Sequence, residues 1–215
     1  MEITGLFAGK PQPFGPRKSP SSIVKASQKH LRVLTNGAVE DEQGDKKLHG
    51  GPQMALHQYA QESYLTLQEA FPSIADKLQF GSIGENISAA KMNENNVYIG
   101  DIYQIGEVSV QVSSPRAPCS RINQRYGIKK VDLFILEQGI TGWYLRVLQE
   151  GTINVGDKIT LEHRDDQAVS VKDLMHMSKT PKGISYTRQQ LEHAATLETL
   201  SPEWQGKLKR ILKRL

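Results

Sequence analysis

In EVSVQVS (Glu107–Ser113) apolar and polar residues alternate strictly. Val108, Val110 and Val112 fall on one face, with Ser109, Gln111 and Ser113 on the other. A period of two marks a strand with one buried face, and Pro115 stops it because proline brings no N–H to a ladder. LRVLT (Leu31–Thr35) shows a similar alternation before the turn signal Asn36-Gly37. SIVKA (Ser22–Ala26), VYIGDIYQIG (Val97–Gly106), GWYLRVLQEG (Gly142–Gly151) and the two runs in TINVGDKITLEH (Thr152–His163) are further strand candidates, several set off by glycine turns. Helical spacing governs AQESYLTLQEAFP, where Tyr64, Leu67, Gln68 and Phe71 share a stripe and Pro72 ends the helix. MALHQY (Met54–Tyr59) suits a short strand or a helix start equally well.

The first 20 residues carry Pro11, Pro13, Pro16 and Pro20 and read as an irregular arm. Val39–Pro52 is polar and glycine-rich, a loop of the length that often carries function. Near Asp165 the pattern changes. Ser170 can cap VKDLMHMS, with Val171, Leu174 and Met175 on one face. Leu191, Ala194 and Ala195 mark a second helix, and Ser201-Pro202-Glu203 starts a third. In that last helix Trp204, Leu208, Ile211, Leu212 and Leu215 form an apolar stripe. Many short strands with few helices between them favour a β-barrel over a parallel sheet. The expected organisation is a mainly β unit over residues 1–166 and a small three-helix unit over 167–215.

Composition narrows the chemistry. A chain of 215 residues can bury a core without disulfides, and its single cysteine excludes an internal disulfide, a Cys-x-x-Cys pair and an all-thiolate zinc site. No apolar run is long enough for a signal peptide or a membrane span, so the expectation is a cytoplasmic protein with no membrane partner. Much of the net charge of +4 sits in the last helix, at Lys207, Lys209, Arg210, Lys213 and Arg214. A solvated helical face accounts for that charge, and nucleic acid is not the expected partner. Oligomeric state stays open between monomer and homodimer. Walker loops, G-x-G-x-x-G, H-E-x-x-H and G-x-S-x-G are all missing from the sequence.

Three stretches carry candidate chemistry. SSPRAPCSRIN (Ser113–Asn123) sets Cys119 just past a strand end, between Arg116 and Arg121, in a loop stiffened by Pro115 and Pro118. Cations nearby favour a thiolate, which can act as a nucleophile, a redox centre or a soft-metal ligand. DKKLHGGP (Asp45–Pro52) offers Lys46, Lys47 and His49, with Gly50 and Gly51 letting backbone N–H groups approach an anion. GENIS (Gly84–Ser88) presents Asn86, whose amide can both donate to and accept from a heterocycle edge, and Glu85 beside it.

KKLHGGPQMALHQY, FGSIGENIS and VYIGDIYQIGEVSVQVSSPRAPCSRIN follow in an order and at spacings that resemble the MOSC family, in particular its stand-alone YiiM-type branch with a small C-terminal three-helix domain. The resemblance covers nearly the whole chain. It implies a β-barrel and a molybdenum-pterin cofactor (molybdopterin), with Cys119 as the molybdenum ligand. It also implies reduction of small N-hydroxylated substrates, including base analogues such as 6-N-hydroxylaminopurine, with electrons from a separate flavin-containing reductase. On that reading Arg116, Arg121, Lys46, Lys47, Gly50, Gly51 and Asn86 would hold the cofactor, and His49 or Glu85 would deliver a proton. Two other readings stay open: a sulfur carrier with a persulfide on Cys119, and a binding module whose basic C-terminal helices contact nucleic acid or a partner protein.

Overall fold

The computed structural model describes residues 1–44, 50–179 and 185–215. Lys46, Lys47 and His49 lie outside the described residues. The strands are β1 (Glu2–Ala8), β2 (Gln12–Phe14), β3 (Ser19–Ser21), β4 (Ala26–Gln28), β5 (His30–Leu34), β6 (Gly37–Ala38), β7 (Leu56–Ala60), β8 (Ile87–Ala90), β9 (Ile102–Ile105), β10 (Val108–Pro115), β11 (Trp143–Gln149), β12 (Gly151–Asn154) and β13 (Ile159–His163). The helices are α1 (Gln61–Ala70), α2 (Arg121–Tyr126), α3 (Val131–Gln138), α4 (Val171–Ser178), α5 (Arg188–Thr196) and α6 (Pro202–Leu212).

Eight strands form one sheet in the order β13-β9-β10-β11-β7-β8-β1-β4. All its pairings are antiparallel except β7 with β8, which are parallel because α1 crosses between them. β12, β5 and β6 make a smaller sheet, and β2–β3 a hairpin. The fold is therefore a mixed α/β arrangement around a large sheet. The described strand pairings do not close into a ring, although the large sheet curls back on itself. An isolated bridge joins Glu2 to Lys158, just before β13, and the Ile159 N–H donates to the Met1 carbonyl at 2.9 Å.

β10 keeps its predicted face: Val108, Val110 and Val112 are fully buried. It runs two residues past Ser113, since Pro115 is its last residue and pairs with Trp143. MALHQY resolves into a 3₁₀ turn (Pro52–Met54) followed by β7, whose five residues are all buried. Ser22–Lys25 is not a strand, because β4 begins only at Ala26. Of Val97–Gly106 only Ile102–Ile105 is extended. Gly100, at φ +90°, and the Asp101 N–H to Tyr98 carbonyl bond at 3.1 Å turn the chain before it. The expectation of few intervening helices also fails. VDLFIL lies within α3, and α2 and α3 together fill the path from β10 to β11.

Two apolar clusters result. One spans the sheet and continues through Leu174, Met175, Leu191, Ala194, Trp204 and Leu208 of the C-terminal helices. The other joins α1 (Tyr64, Leu67) to α2 and α3 (Ile122, Tyr126, Val131, Ile135). Ser170 caps α4 as expected, its Oγ accepting from the Asp173 N–H at 3.0 Å. Leu215 leaves the predicted stripe and is 73% exposed, past the end of α6.

Candidate functional site

A cavity with about 670 Å³ of open space, partly continuous with solvent, opens where β7, the Gly84–Asn86 turn and the segment after β10 meet. Cys119 and Arg116 are on its wall, together with Lys25, Asp41, His57 and Tyr144. Cys119 is half-buried and in no disulfide. Its segment leaves the sheet at Pro115 and enters α2, whose Ile122 N–H donates to the Cys119 carbonyl at 3.0 Å. The proline-stiffened link thus holds Cys119 at the mouth of a short helix.

Arg116 is the most informative neighbour. It is 6% exposed, its Nη1 has no hydrogen-bond partner, and no carboxylate among the described residues pairs with it. A buried guanidinium left so is costly unless something anionic completes it. The backbone is fixed by its N–H donating to the Gly142 carbonyl at 3.0 Å. Arg121 also borders the cavity, and one of its guanidinium nitrogens reaches the Ser19 carbonyl at 3.4 Å. A second hollow lies on the other side of Arg121, lined also by Phe14, Arg17 and Gln124.

Opposite stands a buried ion pair that sequence reasoning did not find. Lys25 and Asp41 are each 6% exposed in their side chains, with Nζ 2.5 Å from Oδ1. Asp41 also accepts from the Gly9 N–H at 2.8 Å and from Asn86 Nδ2 at 2.9 Å. Burial lowers the pKa of Lys25, and the Asp41 charge opposes that shift. His57 was missed as well. It is 5% exposed, and burial followed by the Arg116 charge depresses its pKa well below the usual value, so the imidazole is neutral at physiological pH.

The predicted glycines and amide take other places. Asn86 does border the cavity, but its amide is engaged by the protein: Oδ1 accepts from the His57 N–H at 3.1 Å, and Nδ2 donates to the Phe7 carbonyl and to Asp41. Both Nδ2 hydrogens are taken, so the amide cannot donate to a heterocycle, and its visible task is to join β7, β1 and the Asp41 loop. Gly50 and Gly51 do not line the cavity. Gly51, at φ +89°, opens the 3₁₀ turn, its carbonyl accepting from the Met54 N–H at 3.0 Å. Glu85 is fully buried off the cavity, and its Oε1 accepts from Tyr64, the Gly81 N–H and Ser88 at 2.6, 2.7 and 2.9 Å.

Among the described residues, no three His, Cys, Asp or Glu side chains gather to hold a metal. A metal on Cys119 would therefore need donors from a cofactor as well as from these residues. No helix among the described residues is long and apolar enough to cross a membrane.

Comparison with known proteins gives three kinds of match. The model of the MOSC domain matches residues 45–160. Protein YiiM of Escherichia coli is 36% identical over 160 residues, 74% of this chain and 71% of that protein. A protein named reductase from Gibberella moniliformis is 38% identical over 117 residues, 54% of this chain but only 21% of its own length. The crystal structure of YiiM from Geobacillus stearothermophilus superposes with a TM-score of 0.80 at 26% identity, covering 98% of each chain.

Proposed function

The chain belongs to the MOSC domain family, and from that premise we propose that it is a molybdenum-cofactor-dependent reductase of small N-hydroxylated compounds. The observation that carries this reading is the unpartnered, buried Nη1 of Arg116 on the same cavity wall as Cys119. One wall thus offers a soft sulfur donor and, a few residues away, a cation without a counter-charge among the described residues. A molybdenum-pterin group needs that combination, because it carries both an oxophilic, redox-active metal held by sulfur donors and an anionic phosphate. When bound, the cofactor would supply the two electrons for cleaving an N–O bond.

The chain's own residues supply the rest. Cys119 would ligate the metal through its thiolate. Arg116 would bind the anionic end, its Nη1 already stripped of water. Arg121 borders the same space and would add charge at the rim. The neutral His57 gives the wall a polar group without a further positive charge. The overall change is R–NHOH plus two electrons and two protons to R–NH₂ and water. The electrons come from a separate flavin-containing reductase. On the same reading the curled sheet is the family's barrel, the C-terminal helices its appended domain, and the protein works in the cytoplasm.

The test is metal analysis of protein made in a molybdenum-replete host. The expected result is about one molybdenum per chain, lost in Cys119→Ala. A persulfide on Cys119 by mass spectrometry, with no molybdenum, would overturn the reading in favour of a sulfur carrier.

A further inference from the structure

The loop between β8 and β9 holds a carboxylate with no apparent reason to be buried. Glu94 is 1% exposed, yet no cation lies within ion-pair distance of it among the described residues. Its Oε1 accepts from the Gly142 N–H at 2.7 Å. The Gly142 carbonyl, on the far side of the same residue, accepts from the Arg116 N–H at 3.0 Å and from Thr141 Oγ1 at 3.1 Å. Gly142 is at φ +70°, and a Cβ there would lie 2.5 Å from the Gln58 carbonyl and 2.7 Å from His57 Nε2. One glycine is therefore held on three sides: by Glu94, by the β7 wall and by Arg116. The Glu94 carbonyl in turn accepts from the Lys172 N–H in the first turn of α4 at 2.9 Å.

We infer that Glu94 is the positioning residue of the cavity's cationic wall: its carboxylate clamps Gly142, which sets the backbone of Arg116, and its backbone ties that clamp to the C-terminal helices. The inference rests on the reading that Arg116 holds an anionic cofactor. It gives the helical layer a link to the site that a solvated basic face does not provide. A cationic or apolar group in place of the carboxylate would release the turn. A neutral amide oxygen would keep it, since the Gly142 N–H needs only an acceptor.

The clamp is also proton-sensitive. Burial raises the Glu94 pKa to about 7. The Gly142 N–H and Glu94's own backbone N–H favour the charged form, as does Lys172 of α4, whereas Glu62 of α1 opposes it. Tyr59 of β7 feels the Glu94 charge in turn, and His57 stands at the other face of Gly142. Deprotonation strengthens the bond from the Gly142 N–H, because an ionised acceptor binds more tightly than a neutral one.

The experiment uses the full chain labelled with ¹⁵N, in wild type, Glu94→Gln and Glu94→Ala. In wild type the backbone amides of Gly142 and Arg116 are expected to titrate together, with a midpoint near the carboxylate's. In Glu94→Gln both should be flat with pH and close to one wild-type limit. If Gly142 titrates while Arg116 stays unmoved in all three proteins, the clamp ends at the turn and the inference fails. The second arm is molybdenum per chain after expression in a replete host. Glu94→Ala should retain about a tenth or less of the wild-type load and Glu94→Gln most of it, in line with the usual effect of losing a supporting residue. Equal loading of Glu94→Ala and wild type also overturns the inference. Wild type without molybdenum refutes the cofactor reading instead, and the amide titration still decides the clamp.

Discussion

At the scale of single residues, the site is a balance of buried charges. Arg116 has no described counter-ion, so the cofactor-free protein bears its desolvation cost. Arg116→Met is therefore expected to stabilise the cofactor-free chain by about 1–2 kcal/mol in urea denaturation while abolishing molybdenum retention. Destabilisation would mean that the guanidinium is satisfied from within. Asp41 behaves oppositely. It is the sole described carboxylate paired with Lys25, and it accepts from Gly9 and Asn86 as well. Asp41→Ala strands a buried ammonium, and about 3–5 kcal/mol should be lost in the same measurement. Neither residue announced itself in sequence. Lys25 sits inside a run read as a strand and Asp41 inside a polar loop. Only folding brings residues 16 positions apart, together with Asn86 and Gly9, into one network.

At the scale of elements, legibility followed burial. β10 over Val108–Val112 and α1 bury one face each, so their periods of two and 3.6 survive in the residue order. β7 is buried on both faces, which erases alternation and left MALHQY undecided. α2 has six residues, too short for a periodic stripe, and α3 is apolar nearly all round. α2 nevertheless borders the site, since its first residue, Arg121, lines the cavity and Cys119 stands two residues before it. The single cysteine in a proline-stiffened, cationic loop directed attention to Cys119, and Arg116 came with it as a flanking cation, but His57, Lys25 and Glu94 had no local signal. The C-terminal helices were readable from their caps and apolar residues. Their packing makes a direct prediction. Trp204 is 4% exposed in the cluster shared with the sheet, beneath Lys207 Nζ at 4.3 Å from its ring centre. Trp204→Ala should cost about 3–5 kcal/mol, and Ser170→Ala, which removes the α4 cap, about 1 kcal/mol. If thermal unfolding of Trp204→Ala leaves the midpoint unchanged, the helical layer is not part of the cooperative core.

For the whole molecule, two buried groups set opposing pH dependences. Glu94 has a folded pKa raised to about 7, above its unfolded value. The folded state then holds the extra proton between the two values, so stability falls as pH rises from about 4.5 to about 7, by about 3 kcal/mol for a shift of that size. His57 has a folded pKa depressed well below 6.5. Here the unfolded chain takes up the proton first, so stability falls as pH drops below about 6.5. In the window between about 4.5 and 6.5 the two slopes have opposite sign, and the wild-type midpoint should change little with pH on their account. Removing one group exposes the other. Glu94→Gln should show stability that rises with pH through this window, which is the His57 contribution alone. His57→Gln should show stability that falls with pH up to about 7, the Glu94 contribution alone. Urea denaturation of the three proteins at pH 5, 6, 7 and 8 measures both slopes. Parallel curves for wild type and Glu94→Gln would mean that this carboxylate does not titrate between folding states. The Arg116 backbone would then lack a proton-dependent tie to the C-terminal helices, whatever the cavity binds.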